Sequence, residues 1–476
     1  MVCVTSIAII GGGPAGYEAA LVASGLGAQV TLIESDGVGG ACVLYDCVPS
    51  KTLIATSEKV TAFRDAPGLG VSSSAGAEVS VALNVVNDRV RRLAASQSAD
   101  IHQRLVAAGV TVMAGFGRFA QTQPARSFAI EVLSDTGGSG GAALAEVVEA
   151  DVVLLATGGT PRVVPGAEPD GERILSWRDV YNLTELPEHL IVVGSGVTGA
   201  EFASGYSEMG VRVTLVSSRE KVLPGEDPDA ADVIEKVFTE RGGTLMKLAR
   251  AQSVSKSADG VQVELVDGRS VRGSHALMCV GAVPNTAGLG LEHVGLATDD
   301  RGFIPVDRVS RTGVRGIYAA GDCTGVLLLA SVAAMQGRVS MWHTLGEAVS
   351  PLRLKTVAAN VFTHPEIATV GIGNAVMTSG EVAARVVRLP LAGNARAKMQ
   401  GVTDGFVKIY CRQGTGAIVG GTVVAPAASE LIQPLAMAVQ LGLTVNELAA
   451  TFAVYPSLSG SITEAARQLS QHDDLG

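Results

Sequence analysis

Aromatic residues make up only 4% of this 476-residue chain and charged residues only 17%. No stripe of Lys and Arg with interleaved aromatics is present, and 36 basic against 46 acidic residues leave a net charge of −10, so no nucleic-acid partner is expected. Long apolar runs are missing as well. The longest, residues 326–335, is about half what a membrane helix requires, so no integral membrane association is expected. No basic leader precedes the opening apolar run, Ile7-Ala8-Ile9-Ile10, which passes directly into Gly11-Gly12-Gly13; a cytoplasmic protein is the expectation. Six cysteines, at positions 3, 42, 47, 279, 323 and 411, include one close pair and form neither a disulfide framework nor a zinc-ligand set, so no metal site is expected. What is abundant is glycine, 58 residues, in a sequence that is 47% hydrophobic. That composition fits an α/β protein of two to four domains with sizeable cores.

Two strand, glycine loop and helix units stand out, roughly 180 residues apart. In the first, a strand over 6–10 leads into Gly11-Gly12-Gly13-Pro14-Ala15-Gly16, a helix to about Gly25, and a strand over 29–33 ending in Glu34. This is GxGxxG in its required context, with an acid 18 residues after the last glycine. Gly11, Gly13 and Gly16 allow a tight turn and close approach of a pyrophosphate held at the helix N-terminus, and Glu34 suits a ribose hydroxyl. The second unit repeats the pattern: a strand over 190–193, Gly194-Ser195-Gly196-Val197-Thr198-Gly199, a helix to Met209, and a strand over 211–216. Two nucleotide sites in one chain are implied.

Gly/Ser/Pro-rich stretches at 65–77 and 134–142 read as surface loops or hairpin tips. Residues 151–159 read as a buried strand ending in a glycine turn. After about Leu352, β-branched strands alternate with one long apolar helix over 429–441, the pattern of a separate α+β domain. The segment Gly39-Gly40-Ala41-Cys42-Val43-Leu44-Tyr45-Asp46-Cys47-Val48-Pro49-Ser50-Lys51 holds the close cysteine pair. Residues five apart in an ideal helix are separated by ~7.5 Å along its axis, beyond the ~7 Å Cα limit for a disulfide. A redox pair therefore needs an irregular helix start, which the flanking glycines and Pro49 allow, and the helix dipole there lowers thiol pKa. Two packed thiols are the alternative.

The chain resembles the flavoprotein disulfide reductases over nearly its whole length. The resemblance rests on GGGPAG, GGACVLYDCVPSK, LLATGG, GSGVTGAE, TGVRGIYAAGD and VFTHPEIATVG. It implies an FAD-binding domain over 1–157, an NAD(P)-binding domain over 158–282, a central domain over 283–350 that completes the FAD site, and a C-terminal α+β dimerisation domain over 351–476, in a homodimer. Both nucleotide domains are Rossmann-like. By the resemblance Gly40, Lys51, Gly117, Thr157, Gly158 and Ala330 join the first fingerprint around FAD, and Asp322 reaches the ribityl chain. Cys42 is then the thiol that exchanges with substrate and Cys47 the one against the flavin. Lys51 would lie near the flavin N5, paired with Glu201, and Gly281 would complete the nicotinamide nucleotide site.

Departures from that pattern carry the functional expectation. Asp46 precedes Cys47 where relatives have glycine, and is expected to face outward, because an inward acid would raise the thiol pKa. Disulfide-reducing members carry a His-Pro near the C-terminus, with a Glu five residues after the His, that takes the proton from the exchanging thiol. Here Tyr455 and Gly460 stand at those positions. Tyrosine is a poor base at neutral pH but a serviceable hydrogen-bond donor. His364, also followed by proline, matches the domain-opening segment instead, and His472 lies in a polar tail. Impaired disulfide reduction and transfer of electrons from NAD(P)H to a quinone are therefore expected, as in the quinone reductase branch of the family. A soluble transhydrogenase and a lipoamide dehydrogenase are the alternatives, with a catalytically silent FAD-binding partner as a third. NADH-specific relatives place an acid at the end of the second strand of the inserted unit; here Ser217 stands there, followed by Ser218 and Arg219. NADPH is expected to be preferred and NADH accepted. Ala282 and Val197 replace the usual arginine and a frequent aromatic in the nicotinamide pocket.

Overall fold

The computed structural model describes residues 4–71, 79–134, 143–257 and 259–470. Residues 72–78 and 135–142 of the two Gly/Ser-rich stretches, together with Cys3 and His472, lie outside the described residues. The chain divides into two compact units, one made of Met1–Ser50, Asp88–Arg162 and Gly281–Arg353, the other of Lys51–Asn87, Val163–Val280 and Leu354–Gly476.

The first unit is built on a five-stranded parallel sheet. β1 (Ser6–Ile10) is central, flanked by β2 (Gln29–Glu34) and the strand Val152–Leu155, with Thr111–Ala114 and Ile317–Ala319 at the edges. Parallel strands are covered on both faces, which is why these segments read as unbroken apolar runs. Ile7, Ile9, Leu32 and Leu154 face helix α1 (Pro14–Gly25) through Ala15, Ala19 and Ala23. Ala8, Ile10, Ile33, Val153 and Leu155 pack on the other face with Phe119, Ile130 and Val132 of an antiparallel three-stranded sheet. Each such large aliphatic side chain contributes about 1.5–3 kcal/mol when buried. The small side chains of α1 admit a close crossing by the helix Ala330–Thr344: a Cβ on Gly337 would stand 2.1 Å from the Ala15 carbonyl oxygen. Helices α2 (Gly40–Leu44) and α3 (Cys47–Asp65) follow β2, and α4 (Leu83–Ala107) leads to the edge strand Thr111–Ala114.

The second unit contains another parallel sheet in the order Thr244–Met246, Arg212–Val216, His189–Val193, His275–Met278, Ile174–Leu175. Its glycine loop opens helix α5 (Val197–Glu208), and α6 (Pro228–Glu240) is capped by Asp227, whose side chain accepts from the Asp229 amide. Its C-terminal part is a five-stranded antiparallel sheet with the strand Ile418–Ala425 at its centre and the helix Gly460–Ser470 packed against its core. Asp227 also receives two contacts of 2.8 Å from Lys408 Nζ and one of 2.8 Å from the Tyr410 hydroxyl, joining the cap of α6 to that sheet. The long helix expected over 429–441 is two shorter ones, Ala428–Leu431 and Gln433–Leu441. Pro434, in the first turn of the second, has no amide hydrogen to continue the ladder and separates them. The architecture is α/β with two Rossmann-type folds and a C-terminal α+β region.

Candidate active site

At the end of β1 the backbone turns at Gly11 with φ +104°, and a Cβ there would lie 2.2 Å from the Ala156 carbonyl oxygen. Gly16 presses against the same turn: its Cβ would stand 1.8 Å from the Gly11 oxygen. Gly40, at φ +59°, sits against Gly13 in the same way, 2.9 Å from its Cα. A Cβ on Gly13 itself would meet nothing within 4 Å, so that side of the loop is open. Gly13 is the N-cap of α1 and provides no side-chain cap, and the first turn holds no acid. The exposed amides and the positive end of the helix dipole therefore face open space, which suits a phosphate. Glu34 Oε2 accepts the Gly12 amide at 2.6 Å and its Oε1 accepts the Asp36 amide at 2.7 Å, holding the carboxylate at the rim where a ribose would lie. These residues fit a dinucleotide such as FAD.

Other expected residues belong to the same unit. Gly117 lies on the strand Phe116–Phe119, where a Cβ would come within 3.2 Å of Ile10. Thr157 is tied to Asn285 twice, its hydroxyl donating to the Asn285 carbonyl at 2.6 Å and the Asn285 side-chain Nδ2 donating to the Thr157 carbonyl at 3.0 Å. Gly158, φ +67°, again opens onto free space. Ala330 starts its 15-residue helix without a side-chain cap. The Asp322 carboxyl is pushed up to about 6, first by burial and then by the charge of Asp46. The charge of Asp46, which is itself half-buried, adds to that shift. The cysteine segment is irregular as its spacing requires: Cys42 lies in α2, Cys47 begins α3, and the Tyr45 and Asp46 amides both donate to the Ala41 carbonyl at the break.

The second cradle mirrors the first. A Cβ on Gly194, φ +109°, would lie 2.2 Å from the Cys279 oxygen, one on Gly199 would lie 1.9 Å from the Gly194 oxygen, and one on Gly196 would meet nothing within 4 Å. Gly196 caps α5 without a side-chain bond, and the first turn again lacks an acid. The Gly194 amide donates to Val216, as the Gly11 amide does to Ile33, so Ser217 stands in this unit where Glu34 stands in the other. Its hydroxyl is buried, 2.7 Å from that of Ser195, and donates to the Arg219 carbonyl at 3.0 Å. Ser218 and Arg219 are exposed beside it, whereas Lys221 is engaged by Asp232. Gly281 falls in the first unit, where its carbonyl accepts the Arg162 amide at 2.9 Å.

Lys51, one turn into α3, places Nζ 2.7 Å from Glu201 Oε2 on α5 and 5.0 Å from the centroid of the Phe362 ring. Glu201 Oε1 accepts the Phe362 amide at 2.9 Å, so this buried carboxylate has partners on both oxygens. A second set of polar contacts, not foreseen from sequence, lies farther along the same two helices. Glu208 accepts from Ser204, Ser57 and Thr61 at 2.9, 3.0 and 3.3 Å and faces Arg241 at 3.4 Å. Its carboxyl is held above the usual range by burial, against the pull of Arg241 and the hydroxyls. The available signal was Ser204 and Glu208 recurring at helical spacing after Glu201 in an otherwise apolar helix. Tyr455 lies in the C-terminal part of the second unit and is 85% exposed, next to Val454 and Phe452, which are also exposed. Gly460 opens the helix Gly460–Ser470, its amide donating to the Ser457 hydroxyl.

Residues 5–337 match the family described as pyridine nucleotide-disulphide oxidoreductase, and residues 357–466 match its dimerisation domain. A protein of Mycobacterium tuberculosis named NAD(P)H dehydrogenase (quinone) is 58% identical over 475 residues, covering 99% of this chain and 95% of that protein. A dihydrolipoyl dehydrogenase of Chlorobaculum parvum is 32% identical over 464 residues, 97% of this chain and 96% of its own. The crystal structure of LpdA from Mycobacterium tuberculosis superposes with a TM-score of 0.92 at 58% identity, covering 98% of this chain and 100% of the other. RclA from Escherichia coli, described as an HOCl-induced flavoprotein disulfide reductase, gives 0.84 at 25% identity, over 97% and 99% of the two chains. Paired glycine cradles and matches along nearly the full length lead to one conclusion: this chain belongs to the pyridine nucleotide-disulphide oxidoreductase family.

Proposed function

We propose that this protein is an FAD-dependent NAD(P)H:quinone oxidoreductase that prefers NADPH, accepts NADH, and reduces disulfides poorly. The observation that carries the reading is the tyrosine at 455, with glycine at 460, in a chain that keeps both glycine loops and the Lys51–Glu201 pair. A relative 58% identical bears the name NAD(P)H dehydrogenase (quinone), which supports it. Bound FAD would supply two-electron chemistry between the nicotinamide and the acceptor. In balance, the nicotinamide gives up a hydride, the quinone gains two electrons, and its two oxygens gain two protons, one of them from solvent.

The chain's residues have separate tasks in this reading. Gly11, Gly13, Gly16, Gly40, Gly117, Thr157, Gly158 and Ala330 would form the FAD cradle, with Glu34 on the adenosine ribose and Asp322 at the ribityl chain. Gly194, Gly196, Gly199 and Gly281 would hold the nicotinamide nucleotide. Lys51, fixed by Glu201, would present its ammonium at the flavin. Ser217 brings no carboxylate to repel a 2′-phosphate, and the exposed Ser218 and Arg219 could bind one. Cys42 and Cys47 would form a redox-active pair that quinone reduction does not require, because no thiolate has to attack the acceptor. Tyr455 would donate a hydrogen bond to the quinone.

The assembly proposed is a cytoplasmic homodimer. It is supported by the dimerisation-domain match, by the exposed apolar run Phe452, Val454 and Tyr455, and by the lack, among the described residues, of any helix long and apolar enough to cross a membrane. The domain scheme proposed is 1–157 for FAD, 158–282 for NAD(P), 283–350 central, and 351–476 for dimerisation. The experiment is anaerobic addition of NADPH to the FAD-loaded protein, followed by menadione or by lipoamide. Bleaching by NADPH with recovery on menadione is expected; equally fast recovery on lipoamide contradicts the proposal.

A further inference from the structure

Lys51 Nζ meets Glu201 Oε2 at 2.7 Å, and an ion pair of this kind does not by itself fix how two helices lie along each other. A partly exposed Lys–carboxylate contact survives some sliding of its helix, because the lysine stem is long and flexible. A second point of attachment removes that freedom. It stands seven residues beyond Glu201 on α5, about 10 Å along that axis, and six to ten residues beyond Lys51 on α3, about 9–15 Å along the other.

That second point is Glu208. Its side chain is 2% exposed, and its two oxygens collect the hydroxyls of Ser57 and Thr61 from α3, the hydroxyl of Ser204 from α5, and the guanidinium of Arg241. The Glu208 carbonyl accepts a further bond of 2.8 Å from Arg64 Nη1 of α3. The two helices run in van der Waals contact between these points, since a Cβ on Gly205 would stand 3.4 Å from Leu53. The seam extends to the segment that holds Glu201 from the other side: the His364 amide donates to Ser204 at 3.2 Å, Arg241 donates to the His364 carbonyl at 3.3 Å, and Phe362 donates to Glu201. Every donor around Glu208 thus comes from an element that also touches the Lys51–Glu201 pair or adjoins one that does.

We infer that Glu208 is a positioning residue, which fixes the register of α3 on α5 and thereby holds the Lys51 ammonium against Glu201. A slip of one helical turn would displace Lys51 by ~5.4 Å and empty the pair. The inference rests on the reading of Lys51 and Glu201 as the pair that serves the flavin.

Two readouts on the FAD-loaded dimer test it. The first is amine acylation read peptide by peptide by mass spectrometry, with the exposed Lys59 of the same helix as internal reference. In Glu208→Ala, Lys51 is expected to react about fivefold faster relative to Lys59, the size of effect found for side chains sharing one network. The second is the rate of flavin bleaching at saturating NADPH, expected to fall about tenfold with the half-saturating NADPH concentration unchanged, since small misplacements of reacting groups act on rate. Should Glu208→Ala fail to fold, Ser57→Ala combined with Thr61→Val removes the α3 hydroxyls from its carboxylate and is read in the same way. Glu208→Gln, which keeps hydrogen-bonding capacity, should restore most of both values. Unchanged Lys51 acylation in the folded variants, or faster acylation with an unaltered bleaching rate, overturns the inference. Lys51→Met is measured alongside: if it bleaches at the normal rate, the assignment of the pair to the flavin has failed, while the acylation result still decides whether Glu208 sets its geometry.

Discussion

Lys51 and Glu201 meet at 2.7 Å with the carboxylate side chain 4% exposed and the lysine side chain 28% exposed. The pair is asymmetric: the acid is sequestered and held by the Phe362 amide, while the lysine side chain is partly exposed. Replacing Glu201 by glutamine keeps a partner for Phe362 but removes the counter-charge. Bleaching by NADPH is expected to slow about tenfold or more, as for loss of a preorganised electrostatic group. Glu201→Ala should in addition cost about 2 kcal/mol of stability by leaving Lys51 and the Phe362 amide without their partner. Stopped-flow bleaching and urea unfolding check the two parts.

The proposed nucleotide preference places its weight on Arg219 and Ser217. A charge-assisted contact to a 2′-phosphate contributes about 1.5–3 kcal/mol, so Arg219→Ala should raise the NADPH half-saturating concentration about tenfold or more and leave that for NADH unchanged. Ser217→Glu, which copies the arrangement of Glu34 beside Gly12, should shift preference toward NADH. Steady-state rates with both nucleotides decide, and equal effects of Arg219→Ala on the two would remove it from 2′-phosphate recognition.

Stability of the FAD-free protein should carry a signature of Asp322. Its folded-state value of about 6 lies above the ordinary 3.8. Between those pH values the unfolded chain has released a proton that the folded protein keeps, so folding loses stability as pH rises through that window. The loss is on the order of 3 kcal/mol at most. Asp322→Asn should flatten the pH dependence of the urea midpoint from pH 4 to 6, and Asp46→Asn should flatten it in part. An unchanged slope in Asp322→Asn would show that its carboxyl titrates normally.

The buried contacts around Asp227 predict a different kind of loss. Lys408 and Asp227 have side chains only 6% and 2% exposed. Lys408→Met strands the Asp227 carboxylate with the Tyr410 hydroxyl and the Asp229 amide, at a cost of about 3 kcal/mol. Tyr410→Phe should cost about 1 kcal/mol. The exposed Lys236–Asp404 pair, although shorter at 2.6 Å, should leave the urea midpoint unchanged when Lys236 is truncated, because solvent screens it.

Much of this arrangement was legible in the sequence for a physical reason. Glycine loops such as Gly11 to Gly16 and Gly194 to Gly199 advertise themselves because no other residue fits: their added Cβ atoms would fall within about 2 Å of backbone oxygen at Gly11, Gly16, Gly194 and Gly199. Buried parallel strands such as Ser6–Ile10 and His189–Val193 are similarly plain, being apolar throughout. Contacts set by tertiary packing were less visible. Glu208 looked like an ordinary helix acid, since nothing local tells that Ser57 and Thr61, some 150 residues earlier, supply its hydroxyls. The coupling of Asp46 to Asp322 is hidden in the same way, because the two carboxyls lie 276 positions apart in the chain. The break at Pro434 is masked because apolar residues recur on both sides of it, at Leu431 and Ile432 and again from Leu435 to Val439.

The central claim is that electrons taken from a pyridine nucleotide leave this protein without an imidazole to accept the thiol proton at position 455. Its most direct measurement is the ratio of kcat/KM for menadione to that for lipoamide, with NADPH as donor, in the native chain and in Tyr455→His combined with Gly460→Glu. The native ratio should exceed about 100, the usual contribution of a general acid–base group, and the double variant should lower it by gaining lipoamide turnover. A native protein that reduces lipoamide as efficiently as menadione contradicts the account.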